Sequence, residues 1–133
     1  MSALLDTNVV VRYLTGDPPD QADKAAKLIE GDNGLLLTDV VIAEVVYVLH
    51  SRYNTPREAI IDSLVELLSR ESIGVLCLDK ALVVHALLLC RPSNRVGIPD
   101  ALVWAAARSS GVHVVYSFDG KFQEDGVEVR RSF

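Results

Sequence analysis

Apolar positions along the chain fall into two periods. Short apolar runs at Ser2 to Leu5, Leu35 to Leu37, Gly74 to Leu78 and Val112 to Tyr116 have the length of buried strands, and β-branched residues dominate the last. Thr7 to Leu14 keeps helical spacing until Thr15-Gly16 interrupts it. Asp17 followed by Pro18 supplies an N-cap and a first-turn proline, which predicts a helix over Pro18 to Glu30 that Gly31 stops. Asp39 to about Tyr53 reads as a helix despite its valines, because it is too long for a strand and no turn residue breaks it. Thr55-Pro56-Arg57-Glu58 fits a capping box opening a helix that runs to about Arg70. Asp79 is placed to cap a helix through Leu89, which Pro92 ends, and a loop covers Ser93 to Gly97. Pro99 to Ser110 forms a short helix closed by Gly111, and Val127 to Arg130 is an expected edge strand.

Strands alternating with helices predict a three-layer α/β/α fold with a central, mostly parallel sheet. The 133 residues are the size of one domain, 1–133, and eight Gly and five Pro leave no room for a long linker. The longest apolar runs, Ala101 to Ala107, Val45 to Leu49 and Ala86 to Cys90, fall far short of the roughly 18 residues of a membrane helix. Asp6 interrupts the first apolar residues before a secretory signal could form, so a soluble, cytoplasmic protein is expected. Cys77 and Cys90 sit in apolar surroundings outside any CxxC spacing and read as buried free thiols. His50, His85 and His113 are too scattered for a zinc site or a Ser/His/Asp triad. The net charge of −5 has the wrong sign for holding nucleic acid by bulk electrostatics.

Four carboxylates stand out by position. In parallel α/β folds ligands bind beyond the carboxyl ends of the strands, near the point where the strand order reverses. Asp6 closes the first strand, Asp119 follows the strand after Gly111, and Asp100 opens the helix before that strand. Glu44 is the only charged residue between Val40 and Leu49. Each has an ordinary reading: Asp6 as a helix cap, Asp100 as a partner for the helix dipole, Asp119 as a turn residue, and Glu44 as a stem over apolar surface with its head in water. Together they occupy rim or isolated positions on different elements, a layout that lets them converge. Converging acids without basic partners call for a divalent cation, and carboxylate oxygens suit Mg²⁺ or Mn²⁺. Setting these four aside leaves 14 of the 18 acidic residues against 13 basic ones, so the overall charge does not exclude a nucleic-acid substrate.

The motifs resemble the PIN-domain family and, within it, the VapC-type ribonuclease toxins of bacterial and archaeal toxin-antitoxin modules. The resemblance covers nearly the whole chain: Leu4-Leu5-Asp6-Thr7-Asn8 followed by VVVRYLTGD, then Glu44 in VIAEVVYVL, Asp100 in IPDALVWAAA and Asp119 in SFDGKF. It implies a metal-dependent endoribonuclease with Asp6, Glu44, Asp100 and Asp119 as the acidic pocket for Mg²⁺ or Mn²⁺. It also implies a homodimer and a cognate antitoxin that blocks the pocket. Ser117 stands where many members have Thr, which keeps the hydroxyl, and Val96-Gly97-Ile98-Pro99 lacks the further acid that some members carry before the position of Asp100. Thr7 and Asn8 are placed to position a water or support Asp6. In the chemistry such a site allows, water activated by an ion held chiefly by Asp6 and Asp100 attacks the phosphorus in line. Arg12, Arg95 and Lys121 lie beside the motifs and are the candidate phosphate contacts.

Other classes fit less well. A haloacid-dehalogenase-like phosphatase needs a second acid two residues after the first, where this chain has Asn8, and a receiver domain needs an acidic pair near the start. A non-catalytic PIN-like module binding RNA or protein is the remaining alternative, and the four intact acids weigh against it.

Overall fold

In the computed structural model the described residues are 2–31, 34–76, 79, 81–82, 85–86, 98–122 and 124–133. Five strands, β1 (Ser2–Leu5), β2 (Gly34–Thr38), β3 (Ile73–Leu76), β4 (Val114–Tyr116) and β5 (Glu128–Arg130), form one sheet in the order β3-β2-β1-β4-β5. The helices are α1 (Thr7–Thr15), α2 (Pro19–Ile29), α3 (Asp39–Ser51), α4 (Arg57–Leu68) and α5 (Ile98–Ser110). All four strand pairings are parallel, so the sheet is wholly rather than mostly parallel, and β5 is the expected edge. The three-layer α/β class read from the sequence is the fold observed.

The central strands are apolar on both faces because helices cover both faces, and Leu4, Leu5, Leu35, Leu37 and Val115 are fully buried. The chain steps outward from β1 through β2 to β3, then returns to place β4 on the other side of β1. Connections of fixed hand therefore lie on one face for the steps from β1 to β3 and on the other for the steps to β4 and β5, and a crevice opens at the carboxyl ends of β1 and β4. Three helices border it. Val9, Val10 and Val11 bury one side of α1, and Val41, Val45 and Leu49 seat α3. α3 packs against both α1 and α5, which brings its middle turn to the crevice. Ala101 and Val103 to Ala107 are all buried, so α5 is enclosed nearly all round, and its small side chains allow that close packing.

Two helix starts differ from the sequence reading. α2 begins at Pro19, with Pro18 extended at φ −73°, ψ 154° and no side-chain cap. A residue that precedes proline is pushed out of the helical region, and Pro18 precedes Pro19. Asp17 is therefore not the N-cap; its carboxylate accepts a hydrogen bond from the Tyr53 hydroxyl. The capping box at Thr55 and Glu58 does not form either, because Pro56, with ψ 143°, takes the N-cap position and has no side-chain acceptor. The Thr55 N–H turns back onto the Leu49 carbonyl, and the helix starts one residue later than a Thr55 cap requires. Asp79 does cap, accepting from the N–H groups of Ala81 and Leu82, and 85–86 are helical as expected, while 83–84, 87–89, the loop at Ser93 to Gly97, Cys77 and Cys90 fall outside the described residues.

Candidate active site

Asp6 ends β1 and is also the N-cap of α1. Its N–H bonds the Tyr116 carbonyl of β4, and its carbonyl accepts from Val9, so the backbone is fixed on both sides. The side chain is 1% exposed and fully hydrogen-bonded: Oδ1 accepts from the Thr7 N–H at 2.8 Å, and Oδ2 accepts from the Ser117 hydroxyl at 2.6 Å and from Asn8 Nδ2 at 3.3 Å. The cap reading of Asp6 is thus correct and incomplete, since one oxygen serves the helix and the other is turned to the crevice network. Burial pushes the carboxyl up to about 6, against the Ser117 and Thr7 hydrogen bonds, and the charges of Glu44 and Asp119 push in the same direction.

Asn8 joins three elements. Its amide donates to Asp6 and, at 3.3 Å, to the Ser117 oxygen, while its carbonyl oxygen accepts from the Phe118 N–H at 3.0 Å. The fully buried Ser117 hydroxyl accepts in turn from the Asp119 N–H at 3.0 Å. Asp119 also has its expected turn role, with Oδ1 accepting from the Lys121 N–H at 2.8 Å. The loop that carries it is held from β5's far end by Arg131, whose guanidinium donates to the carbonyls of Asp119, Gly120 and Phe122.

Glu44 reaches the crevice from the second turn of α3 and accepts from the Thr7 hydroxyl at 2.6 Å. Asp100, in the first turn of α5, completes the group. Its carboxyl is pushed up to about 8, first by burial, then by the charge of Asp6, a hydrogen bond with the Asp119 carboxyl, and the charges of Asp119 and Glu44. Asp6 and Asp100 thus each feel the charges of Glu44 and Asp119. The described ion pairs, Arg70 with Glu30, Arg130 with Glu128 and Arg131 with Glu124, include none of them.

An open cavity of about 230 Å³ is lined by Asp6, Thr7, Asn8, Val11, Arg12, Glu44, Val48, Arg52 and Asp100. Asp119 lies beside it through its contact with Asp100. Of the basic candidates, Arg12 lines the cavity, Lys121 is exposed and contributes its backbone N–H, and Arg95 is outside the described residues. Arg52, at the C-cap of α3, lines the same cavity and was missed. The spacing of Glu44, Val48 and Arg52, one face of a helix at intervals of four, is the signal that points to it.

Among the described residues no three acids are spaced to grip a common ion, and their oxygens accept hydrogen bonds from Thr7, Asn8, Ser117 and Lys121. The donor set nevertheless suits a hard divalent cation: it consists of carboxylate oxygens, with two of the groups driven toward their neutral forms by burial and mutual repulsion.

A parallel sheet with mutually interacting acids at its switch point defines an α/β protein with an acidic rim site. The sequence model of the PIN domain matches residues 3–126, and the chain belongs to the PIN domain family. No curated protein matches it. Among solved structures it is similar to Mycobacterium tuberculosis VapC20, a sarcin-ricin loop cleaving toxin, with 22% identity and a TM-score of 0.73 over 90% of this chain and 92% of that one. It is also similar to VapBC2 from Rickettsia felis bound to a DNA fragment from their promoter, at 18% identity and a TM-score of 0.71 over 98% of each chain. FitAcB from Neisseria gonorrhoeae matches at 18% identity and a TM-score of 0.63 over 96% of this chain and 95% of that one.

Proposed function

We propose that this PIN domain protein is a metal-dependent endoribonuclease that hydrolyses RNA phosphodiester bonds and is the toxin of a toxin-antitoxin pair. The observation that carries this reading is the meeting of Asp6, Glu44, Asp100 and Asp119 at the switch point, where burial and mutual charge raise two of them far above the ordinary carboxylate range. Such a group is destabilising unless a cation or shared proton offsets it, and functional sites are where such arrangements persist. Likeness in fold to a sarcin-ricin loop cleaving toxin and to VapBC2 supports both the substrate class and a cognate antitoxin as partner.

Asp6, Glu44, Asp100 and Asp119 would hold Mg²⁺ or Mn²⁺, and the ion would lower the pKa of water and offset charge on the phosphate. The chain's own residues set up the rest. Asn8 and Ser117 fix Asp6 and the Asp119 loop relative to each other, and Thr7 fixes Glu44. Val11 and Val48 give the wall of this open cavity an apolar stretch beyond the acids. No described helix is long and apolar enough to cross a membrane, in keeping with a cytoplasmic toxin, and a homodimer belongs to the same reading.

The test is sequencing of RNA ends after expression of the wild type beside Asp6→Asn. Direct attack of water on phosphorus has no need of the ribose 2′-hydroxyl, so wild type should leave 5′-phosphate and 3′-hydroxyl ends that Asp6→Asn does not. Cyclic 2′,3′-phosphates would refute the mechanism. RNA binding without cleavage would instead establish a non-catalytic PIN-like module.

A further inference from the structure

Acids and arginines line one cavity from different levels of the same helices. Asp6 caps the start of α1 and Glu44 sits in the second turn of α3, whereas Arg12 is in the last turn of α1 and Arg52 is the C-cap of α3, with Val11 and Val48 between them along the chain; Asp100 joins the acids from α5. Two helices make the walls: Thr7, Asn8, Val11 and Arg12 face the cavity from α1, and Glu44, Val48 and Arg52 from α3. The arginines lie six and eight residues beyond Asp6 and Glu44, roughly 9 and 12 Å of helical rise. Neither guanidinium takes part in the described ion pairs, although three carboxylates share its cavity. The Arg12 Nε donates instead to the neutral Gln21 Oε1 at 2.9 Å, a partner that does not compensate its charge. The Tyr53 to Asp17 hydrogen bond ties the residues after α3 to those after α1 near this end.

Two uncompensated guanidiniums facing one cavity suit an anion with several oxygens. Their distance from the acids makes them unsuited to the phosphate undergoing attack. From this we infer that Arg12 and Arg52 form a subsite for a backbone phosphate of the RNA strand flanking the scissile one, with the intervening nucleotide lying over Val11 and Val48. The inference rests on the ribonuclease reading and adds to it the direction in which substrate crosses the site, from the β1 and β4 strand ends along the groove between α1 and α3.

Removing a phosphate contact weakens binding and also reduces its salt dependence, a readout that a purely structural role for either arginine does not share. In an Asp6→Asn background with Mg²⁺, which prevents turnover, affinity for a fluorescein-labelled single-stranded RNA is measured by anisotropy across a salt series. Arg12→Gln and Arg52→Gln should each weaken binding about tenfold at low salt. Each should also reduce the slope of log affinity against log salt by about 0.7, the value for one phosphate contact on a single strand. Arg52→Lys should restore the slope, and Arg70→Gln, whose arginine lines a different cavity, should leave it unchanged. In the otherwise wild-type protein both Gln variants should raise KM with little change in kcat. An unchanged slope in both variants, in a protein that cleaves RNA, overturns the subsite alone. Absence of both binding and cleavage by the wild type overturns the ribonuclease reading with it.

Discussion

The Ser117 hydroxyl donates to Asp6 Oδ2 at 2.6 Å, joining two residues 111 positions apart at the carboxyl ends of β4 and β1. The bond closes the switch point of the sheet: the same hydroxyl oxygen accepts from the Asp119 N–H, so one buried side chain fixes the carboxylate of one acid and the backbone of another. A hydrogen bond to the ionised form favours ionisation, and at Asp6 it acts against burial. Ser117 therefore sets both where Asp6 lies and how readily it carries charge.

Ser117→Ala removes that donor and leaves Asp6 Oδ2 with only the 3.3 Å contact from Asn8. The cost should be about 1–3 kcal/mol, the range for a buried polar group losing its partner, and the Asp6 carboxyl should rise further above about 6. Thermal melts and a pH profile of RNA cleavage check both effects. The acidic limb should move to higher pH in Ser117→Ala and stay in place in Ser117→Thr, which keeps the hydroxyl. An unmoved limb in the Ala variant would separate Ser117 from the ionisation of Asp6.

The sequence shows these acids well because strand ends and helix starts can be located from patterning alone. Asp6 after Leu4-Leu5, Asp100 after Pro99 and the lone Glu44 in an apolar helix each break a local pattern, and the fold turns those breaks toward one crevice. Patterning shows less where a competing local preference decides. Consecutive prolines at 18 and 19 displace the expected cap at Asp17, and Pro56 replaces Thr55 as the cap of α4. The spacing of Glu44, Val48 and Arg52 shows that they share a face of α3, but not that this face meets α1, and Arg131 gives no sequence signal because its role depends on the return of β5 beside the Asp119 loop.

Chelation gives a direct test of what offsets the acids. If a divalent ion does, excess chelator should abolish RNA cleavage and added Mg²⁺ or Mn²⁺ should restore it. Cleavage that persists in excess chelator would remove the metal from the reaction.

Stability of the metal-free protein should depend on pH in a specific direction. The folded Asp6 carboxyl, at about 6 against an ordinary 3.8, holds a proton that the unfolded chain has already released. Between those values the folded state binds more protons, so its contribution to stability is full below about 4 and is lost as pH rises through 6. For Asp6 the loss is at most about 3 kcal/mol. Asp100, at about 8, extends the decline to higher pH. Melts in chelator from pH 4 to 8 should show the wild type losing stability relative to Asp100→Asn, with the difference still growing between about pH 6 and 8. A constant difference across that range would mean that Asp100 does not titrate there.

Asp100→Asn also separates a site acid from a helix-start acid. The substitution keeps the shape of the side chain and removes a carboxyl that burial and its acidic neighbours hold protonated far above the ordinary range, so without metal the variant should melt higher than wild type at pH 7 and above. The gain should be of order 1 kcal/mol, well below what the raised carboxyl value alone converts to, because Asp100 is partly open to solvent and its repulsion is screened. Mg²⁺ should then raise the melting temperature of wild type through binding to the folded state, and that of the variant much less. If Asp100 served only the first turn of α5, losing its charge would cost a few tenths of a kcal/mol to about 1 kcal/mol by weakening the interaction with the helix dipole. The metal response would then be unchanged. The two accounts therefore predict opposite signs in chelator and different responses to Mg²⁺, and four melts decide between them: a destabilised variant with a wild-type metal response would take Asp100 out of the site.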